Sequence, residues 1–345
     1  MFDLLVFIGR FQPFHNEHKR VIDIALTKAH NVLVLVGSSG KARTVRNPFT
    51  FDERFDMIFE AFTPEERTRI RVRPLRDKTY NDSAWIKQVQ DKVTETAIAL
   101  HNPNGINLHG TGKVGLIGAS KDHTSYYLKM FPQWDSVNVP IEHVIHATEI
   151  RNAFFEDECI LDGTMLPDNV SNWLNEFSDT DECETLRKEY WFVKKYKEAW
   201  KAAPYPVKHL TVDAVVEQSG HILLVKRRSE PGKGLWALPG GHLETEETLV
   251  DGVIRELREE TKIKVPDPVL RGSIHATHMF DDPYRSNIGR VVTFASYIKL
   301  ADATSLPKVK GADDAEKAKW VPISEITEDK LFDDHYHIIQ YFLGL

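Results

Sequence analysis

Short apolar runs alternate with longer segments of mixed polarity through the first half of the chain. The runs at 4–8, 32–36, 70–72 and 114–117 are typical of buried strands, and 17–29 has apolar positions at helical spacing. This alternation predicts an α/β domain, a parallel sheet with helices on both faces. Ligands of such sheets bind beyond the carboxyl ends of the strands, so residues 9–18 are the predicted binding segment.

The pattern changes in the second half of the chain. Residues 169–200 are helical in pattern and charged, and Ala-Ala-Pro-Tyr-Pro at 202–206 interrupts any helix. The runs 209–217 and 221–226 flank a Gln-Ser-Gly turn as a hairpin does, and 290–300 is another strand-like run. We therefore predict an N-terminal domain over 1–175, a helical connector over 176–206 and a mixed α+β domain over 207–345.

Composition narrows the protein class. A chain of 345 residues exceeds what one hydrophobic core usually serves, which favours two domains. It has no apolar run of about 18 residues, so no membrane partner is expected. A net charge of −7 argues against generic binding of nucleic acid. The start of the sequence lacks a basic leader, and Cys159 and Cys183 are its only cysteines, which together favour a cytoplasmic location.

The segment 248–262 is predicted to be a helix with an acidic face. Its apolar positions 249, 253 and 257 form a buried stripe, while Glu256, Glu259 and Glu260 project from one side and are expected to converge. A hard divalent cation relieves their repulsion, so Mg²⁺, with Mn²⁺ as a substitute, is the predicted cofactor. Glu259 and Glu260 are the candidates to assist an attacking water. A solvated acidic face is the alternative.

The residues around this helix resemble the Nudix box. The matching residues are Gly241, Glu247, Arg255, Glu256, Leu257, Glu259, Glu260 and Ile263. Gly241, Glu247 and Arg255 are expected to be structural, the last two as a pair that fixes the loop against the helix. Lys262 stands where the family has glycine, so we expect a locally altered turn with catalysis retained. The resemblance implies an α/β/α sandwich that hydrolyses a diphosphate linked to a nucleoside.

The flanking segments 235–244, 280–285 and 289–292 are similar to Nudix proteins that handle ADP-ribose. That resemblance implies hydrolysis to AMP and ribose 5-phosphate. Trp236 and Tyr284 are candidates to stack on adenine, or are packing aromatics. Arg228 and Arg285 are candidates to grip the diphosphate, or are surface charges. NADH or a dinucleoside polyphosphate as substrate, and a sensor of ADP-ribose or NAD, stay open as alternatives.

Residues 9–18 bring a glycine turn, an arginine and two histidines to the start of a helix. Free N–H groups and the helix dipole attract phosphate there. His15 and His18, three apart, face the same side and can donate hydrogen bonds to a leaving pyrophosphate. Histidines that cap or pack the helix are the alternative.

This segment resembles the nucleotidyltransferase superfamily, whose hallmark is His-x-Gly-His, although Glu17 replaces the glycine. The residues from Gly9 to His15 are characteristic of archaeal-type nicotinamide mononucleotide (NMN) adenylyltransferases, and 37–39, 46–50, 53–54 and 148–151 are similar to their later motifs. The resemblance implies a Rossmann-like fold. It also implies attack by the NMN phosphate on the α-phosphorus of ATP, which yields NAD and diphosphate.

Site roles follow from the same resemblance. It implies that the ATP phosphates are held by Arg10, His15, His18 and Arg151, with assistance from Arg46. It also implies that Thr148 caps the phosphate site. The nucleotide-binding segment would further include Gly9, Phe11 and Gln12. Trp85 would stack on nicotinamide and Asp77 would orient its surroundings. A packed aromatic is the alternative for Trp85, and a solvent-exposed arginine for Arg46.

The order of the two motif sets resembles bifunctional bacterial NMN adenylyltransferase/Nudix hydrolases. The implied small-molecule partners are ATP, NMN, NAD and ADP-ribose. The sequence leaves open the oligomeric state, with a homo-oligomer as one alternative, and the placement of the two sites.

Overall fold

The computed structural model describes residues 1–101, 112–118, 129–142, 145–157 and 164–345. It divides into two compact units, Met1–Arg187 (unit 1) and Lys188–Leu345 (unit 2). The division falls inside one helix, α7 (Asp181–Trp200). Cys159 lies outside the described residues, and Cys183 is a buried free thiol. Within the described ranges, no helix has the length and apolar character that a membrane crossing requires.

Unit 1 is built on a five-stranded parallel sheet in the order β3-β2-β1-β4-β5. The strands are β1 (Phe2–Gly9), β2 (Ala29–Val36), β3 (Ile70–Pro74), β4 (Val114–Gly118) and β5 (Asp135–Asn138). The four strands predicted from apolar runs are confirmed. β1 is central and the strand order reverses beside it, so its carboxyl end is where a ligand site is expected.

Helices cover this sheet, as the alternating pattern predicts. They are α1 (Asn16–Lys28), α2 (Phe51–Phe59), α3 (Pro64–Arg67), α4 (Asp82–His101), α5 (Ala147–Phe155) and α6 (Asp168–Ser178). Val89 and Val93 of α4 pack in one cluster with Leu4, Val6 and Leu33 of the sheet. α1 contacts the neighbouring strands β1, β2 and β4. The Rossmann-like α/β fold predicted for the N-terminal domain is confirmed.

Unit 2 contains a mixed sheet in the order β10-β11-β6-β7-β12, with β8 paired to β7 and β9 to β6. The strands are β6 (Lys208–Gln218), β7 (His221–Arg227), β8 (Trp236–Ala237), β9 (Gly240–His242), β10 (Ile274–Phe280), β11 (Arg290–Lys299) and β12 (Ala315–Pro322). β6 and β7 form the predicted antiparallel hairpin, while β11 lies parallel to β6. The predicted mixed sheet is confirmed.

Helix α8 carries the acidic face predicted from sequence. The helices of this unit after α7 are α8 (Leu249–Thr261), α9 (Asp267–Gly272) and α10 (His335–Leu343), and 3₁₀ turns occupy Ile323–Glu325 and Glu328–Lys330. Val253 and Leu257 of α8 are buried in one cluster with Val212 and Ala214 of β6. This stripe holds α8 against the centre of the sheet and leaves its glutamates on another face.

The end of α8 differs from the sequence expectation. Lys262 adopts the left-handed conformation (φ 47°, ψ 33°), and its N–H donates to the Arg258 carbonyl at 3.0 Å. This is the backbone conformation that glycine adopts at helix ends, so the turn is retained rather than altered. A non-glycine residue pays about 1–2 kcal/mol for that conformation. Burial of the next residue, Ile263, helps to offset the cost.

Two candidate active sites

The first site lies at the carboxyl ends of β1 and β2. The Gly37 N–H donates to the Gly9 carbonyl at 2.8 Å and ties the two loops together. Arg54 is fully buried and donates to the carbonyls of Arg10 (2.6 Å), Gly37 (2.7 Å) and Thr50 (3.0 Å). Burial lowers the pKa of Arg54 to about 10, yet its backbone partners hold it in place. Arg54 therefore fixes the loop that carries Arg10, a role that sequence reasoning missed.

The two histidines of the motif lie together at the start of α1. Their rings stack with centroids 3.5 Å apart, and the His18 N–H donates to His15 Nδ1 at 3.4 Å, which caps the helix. His15 is buried, whereas His18 is half-buried against the rings of Phe11 and Phe14, at 4.8 and 5.9 Å. The pair thus combines a capping and packing role with a position at the anion-attracting end of a helix.

Three arginines gather beside the histidine segment. Arg151, on α5, is buried and donates to the Gln12 carbonyl at 2.5 Å and to Thr148 Oγ1 at 3.1 Å. Burial, together with the nearby positive charges of Arg10 and Arg46, lowers the pKa of Arg151 to about 9. Guanidinium groups that repel one another in this way favour a polyanion as ligand. Thr148 lies exposed in the first turn of α5, a second helix N-terminus.

Gln12 is placed differently from its predicted role. Its side-chain amide donates to the Phe49 carbonyl at 2.8 Å and accepts from the Phe49 N–H at 3.0 Å. Because both of its amide atoms bond to backbone in the interior, the Gln12 side chain belongs to the scaffold of the loop rather than to the ligand site. Phe11 is also buried, so this segment presents backbone to a ligand rather than these two side chains.

Asp77 and Trp85 lie elsewhere around the sheet. The Asp77 carboxylate accepts from the N–H and hydroxyl of Ser38, at 3.1 and 2.9 Å, and pairs with Lys41 at 3.0 Å. Asp77 thereby shapes the loop that follows β2. Trp85, on α4, is half-buried and packs against Phe131 with ring centroids 6.1 Å apart. These contacts favour the packing alternative for Trp85, and its contact with nicotinamide stays a prediction.

Glu17, the departure from His-x-Gly-His, is buried and bonded. Arg20 donates to its carboxylate at 3.0 Å and reaches Glu142 at 3.1 Å. The hydrogen bond that Arg20 donates to Glu17 raises the pKa of Arg20. An ion pair within α1 therefore compensates for the side chain that replaces the glycine.

In unit 2, Arg255 is the centre of the Nudix-box contacts. It donates to Glu247 (2.7 and 3.0 Å), Glu256 (2.8 Å) and Glu259 (3.0 Å), and to the His242 carbonyl at 3.1 Å. The hydrogen bond with Glu247 is the largest cause of the raised pKa of Arg255. The structure therefore contains the expected pair between Arg255 and Glu247, which fastens the loop to α8.

Glu260 is the most deeply buried of the three carboxylates. It accepts the Gly240 N–H at 3.0 Å, and burial raises its pKa to about 8, with the charge of Glu256 adding to the effect. Burial also raises the pKa of Glu256. A Cβ at position 241 would lie 2.5 Å from a Glu256 oxygen, so any other residue there would displace the Glu256 carboxylate.

The three carboxylates do not converge on one point as the helical spacing predicts. Glu256 and Glu259 both bond to Arg255, while Glu260 turns to the backbone of Gly240. Within the described residues, no three His, Cys, Asp or Glu side chains form a group that by itself could hold a metal ion. The guanidinium of Arg255 supplies the positive charge that relieves their repulsion here.

Arg285 requires a correction. Its guanidinium donates to both oxygens of Asp334, at 2.9 and 2.8 Å, and both side chains are buried. A buried bidentate pair of this kind leaves the group poorly placed to grip a diphosphate. Phe280, which ends β10, is completely buried and is a core residue.

The remaining predicted substrate residues lie nearer the surface. Trp236 is half-buried, and Lys319 Nζ lies 4.4 Å from the centre of its ring. Tyr284 is 53% exposed. Arg228 is exposed and donates to the Ala315 carbonyl at 3.3 Å. The substrate roles of these three side chains stay predictions.

Sequence reasoning overlooked Arg227, the last residue of β7. Its guanidinium lies 4.0 Å from the Phe332 ring centre and interacts with the charges of Asp333 and Glu260. Burial lowers its pKa. Period-two alternation from the buried Val225 places Arg227, not Arg228, on the inner face of the strand, and this signal was available in the sequence.

Comparison with known proteins separates the chain into two matched regions. The family described as cytidylyltransferase-like matches residues 6–103, and the NUDIX domain family matches residues 207–342. A nicotinamide/nicotinic acid mononucleotide adenylyltransferase of Acinetobacter baylyi is 37% identical over 190 residues, which are 55% of this chain and 94% of that protein. An ADP-ribose pyrophosphatase of Methanocaldococcus jannaschii is 31% identical over 134 residues, 39% of this chain and 72% of that protein.

One solved structure matches both regions at once. It is described as a bifunctional NMN adenylyltransferase/ADP ribose pyrophosphatase from Francisella tularensis complexed with AMP and a Mn ion. It is 34% identical, covers 100% of this chain and 99% of that chain, and gives a TM-score of 0.89. The chain belongs to this bifunctional family. The loop of Arg10 and the histidine pair lie in the first matched region and the glutamates of α8 in the second, whereas Thr148 and Arg151 lie beyond both.

Proposed function

We propose that the chain is a bifunctional enzyme of NAD metabolism. Unit 1 joins ATP and NMN into NAD and diphosphate, and unit 2 hydrolyses ADP-ribose to AMP and ribose 5-phosphate with a divalent metal, Mg²⁺ in the first place. One observation carries the proposal, namely that a single chain contains both kinds of site. In unit 1, arginines that repel one another lie near the N-termini of α1 and α5, and in unit 2 the helix α8 presents the glutamates of the Nudix box. A cytoplasmic location belongs to the same proposal.

In unit 1 the residues position polyanions rather than form a covalent intermediate. An oxygen of the NMN phosphate attacks the α-phosphorus of ATP, the bond from that phosphorus to the β-phosphate oxygen breaks, and diphosphate leaves with the electron pair. Arg10, Arg46 and Arg151 neutralise the triphosphate, and the N–H groups at the start of α1 add a positive field. His18, the more accessible histidine, donates to the departing diphosphate.

In unit 2 the donor set fits a hard divalent cation. Glu256, Glu259 and Glu260 offer only carboxylate oxygens, the donors that such a cation prefers. Burial raises the pKa of Glu256 and of Glu260, so a cation would favour the charged form of these two carboxylates. These three glutamates are the residues that would hold the metal. A bound cation there would polarise the phosphoryl oxygens and make a nearby water more acidic.

The other box residues hold this face in shape. Arg255 keeps Glu247 and the loop in register with α8, and the Gly240 N–H orients Glu260. Water attacks one phosphorus of ADP-ribose, its proton passes to a carboxylate of Glu259 or Glu260, and the phosphorus–oxygen bond of the diphosphate breaks. AMP and ribose 5-phosphate are then the two products.

The test is to assay the full chain separately for NAD formation from ATP and NMN and for AMP release from ADP-ribose, each with Mg²⁺, with Mn²⁺ and with a chelator. We expect both activities and loss of AMP release with the chelator. Absence of NAD formation would contradict the role of unit 1. Faster hydrolysis of NADH or of a dinucleoside polyphosphate would reassign the substrate, and binding of ADP-ribose without turnover would indicate a sensor.

A further inference from the structure

A buried polar array lies in the interior of unit 2. It consists of Asp213, Arg285, Thr293, Asp334 and His335, each at most 8% exposed. Thr293 donates to Asp213 at 2.6 Å, and Arg285 bonds twice to Asp334. Burying so many polar groups costs stability unless each finds a partner, so the array is expensive to maintain. The proposed chemistry assigns it no role.

His335 links this array to the loop that precedes the Nudix helix. The Leu238 N–H donates to His335 Nδ1 at 2.8 Å. Because Nδ1 accepts, a neutral ring carries its proton on Nε2, which lies 4.0 Å from an Asp213 oxygen. His335 is also the first residue of α10 and directly follows Asp334, so the ion pair between Arg285 and Asp334 anchors the same helical turn.

The same loop reaches a glutamate of the catalytic face two residues later. The Gly240 N–H donates to Glu260 Oε2 at 3.0 Å, and the Pro239 carbonyl accepts from the Ala214 N–H at 2.8 Å. A Cβ on Gly240 would lie 2.4 Å from an Asp213 oxygen. The segment 238–240 therefore lies closely between the array and Glu260, and a shift at Leu238 moves the donor that orients Glu260.

A second backbone contact fixes the register of this support. The Phe332 N–H donates to the Trp236 carbonyl at 2.9 Å. Residues 332–335 thus run beside 236–238 and hold them at two points, one backbone contact and one histidine contact. The histidine contact, at Leu238, is closer along the chain to Gly240, the residue whose N–H bonds to Glu260.

We propose that His335 is a positioning residue for unit 2, which sets the place of the Glu260 carboxylate through the segment 238–240. The proposal rests on the proposed hydrolysis by unit 2. It also gives Arg285 a role, because Arg285 holds the first turn of α10 through Asp334. Removal of the Nδ1 acceptor leaves the Leu238 N–H buried without its partner, and the loop moves to find another.

The expected effect falls on the chemical step. A displacement of about 1 Å at a catalytic group can cost on the order of 100-fold in rate. When the acceptor at His335 is removed, we therefore expect kcat for ADP-ribose hydrolysis to fall by about 10- to 100-fold, while KM changes by less than about threefold. A purely structural role would instead lower the amount of folded enzyme and leave kcat per folded molecule unchanged.

The experiment compares three substitutions of one side chain in the full chain. His335→Asn keeps an acceptor near the position of Nδ1, His335→Gln places its amide too far along, and His335→Leu has none. His337→Leu is the matched control, since His337 is another buried histidine of α10 and lies beside Glu328 at 3.2 Å. NAD formation by unit 1 and thermal unfolding measure the folded fraction of each variant.

We expect kcat to fall from the wild type to His335→Asn, and further to His335→Gln and His335→Leu. The His337→Leu variant should be close to wild type per folded molecule. Equal kcat values for His335→Asn and His335→Gln would overturn the proposal. A wild-type kcat in folded His335→Gln and His335→Leu variants would do the same. If no variant folds, a ¹H–¹⁵N spectrum of the wild-type imidazoles decides, since a proton on His335 Nδ1 is incompatible with it. A wild-type chain that does not hydrolyse ADP-ribose would instead contradict the proposed function.

Discussion

At the scale of single residues, Lys262 shows a side chain held in a conformation that favours glycine. We expect Lys262→Gly to raise the free energy of unfolding by about 1 kcal/mol, because glycine adopts the left-handed conformation without the steric cost. Chemical denaturation measures the change. Hydrolysis should stay at the wild-type rate, since the catalytic glutamates lie earlier on α8.

The matched control is Lys264→Gly, which removes the same charge two residues later. The φ angle of Lys264 is not positive, so glycine at this position relieves no steric cost in the folded state. It only adds conformational freedom to the unfolded chain. We expect it to be neutral or destabilising. If the two variants were equally stable, the left-handed turn would not be the source of the effect.

The arginine cluster of unit 1 allows a second prediction at this scale. Arg46→Gln should raise KM for ATP by about 10- to 150-fold, because a charge-assisted hydrogen bond of about 1.5–3 kcal/mol is lost. It should also relieve the repulsion on Arg151. Diphosphate should therefore raise the unfolding temperature of the wild type more than that of the variant.

Lys28→Gln serves as its control, since Lys28 is exposed in the last turn of α1, at the opposite end from His15. This variant should bind ATP as the wild type does. An equal rise in KM in both variants would mean that net charge, not the cluster, determines binding.

Individual residues also mark where prediction from sequence stops. The glutamates of α8 and the histidines of α1 could be named because helical spacing and motif position suffice for them. The positions of Gln12 and Arg285 could not be deduced, because their partners, Phe49 and Asp334, lie far away in the sequence. Only the tertiary fold shows that such polar side chains have turned inward.

At the scale of elements, the start of α2 couples stability to pH. Burial raises the pKa of Glu53, but hydrogen bonds from Arg43 and Thr50 outweigh it and leave the pKa lowered. A lowered carboxyl pKa gives stability that is present above the ordinary value, about 4.3, and is lost as the pH falls through the folded value. Glu53→Gln should remove about 1 kcal/mol at pH 7 and should flatten the loss of stability on the acid side.

Glu66→Gln is the control for this prediction. Glu66 closes the same type of capping box with Thr63 at α3, but in the described structure its carboxylate accepts from the Thr63 N–H and from no arginine side chain. Denaturation curves at neutral and acid pH should show a smaller change for it. If the free energy of unfolding fell equally with pH in the wild type and the Glu53→Gln variant, groups other than Glu53 would cause the acid sensitivity.

Elements differ in how far sequence could predict them. β1, β2 and β4 are buried along most of their length, so each is a plain apolar run. β5 is mostly exposed and polar, and it has no such signal because its place depends on pairing with β4. The boundary between the two units likewise has no signal in the composition of the sequence, because it lies within the regular helix α7.

At the scale of the whole molecule, the two proposed activities should be separable within one chain. Glu259→Gln should lower ADP-ribose hydrolysis at least about 100-fold and leave NAD formation near wild type. His18→Ala should lower NAD formation by about 100-fold and leave hydrolysis intact. Steady-state rates of both reactions on each variant measure this.

Glu246→Gln and His30→Ala, which change a glutamate and a histidine at exposed positions, are the controls and should change neither rate. Loss of both activities in either test variant would indicate one shared site. The same outcome in a control variant would indicate general unfolding.

The helix α7 sets a limit on how the protein can be divided. Because the two units meet between Arg187 and Lys188, a cut at that boundary leaves each half with part of one helix. Isolated helices shorter than about 12–15 residues are only marginally stable in water. The part of α7 that stays on unit 1 should therefore lose its helical structure. An engineer who wants one activity alone does better to keep the whole chain and silence the other site by substitution.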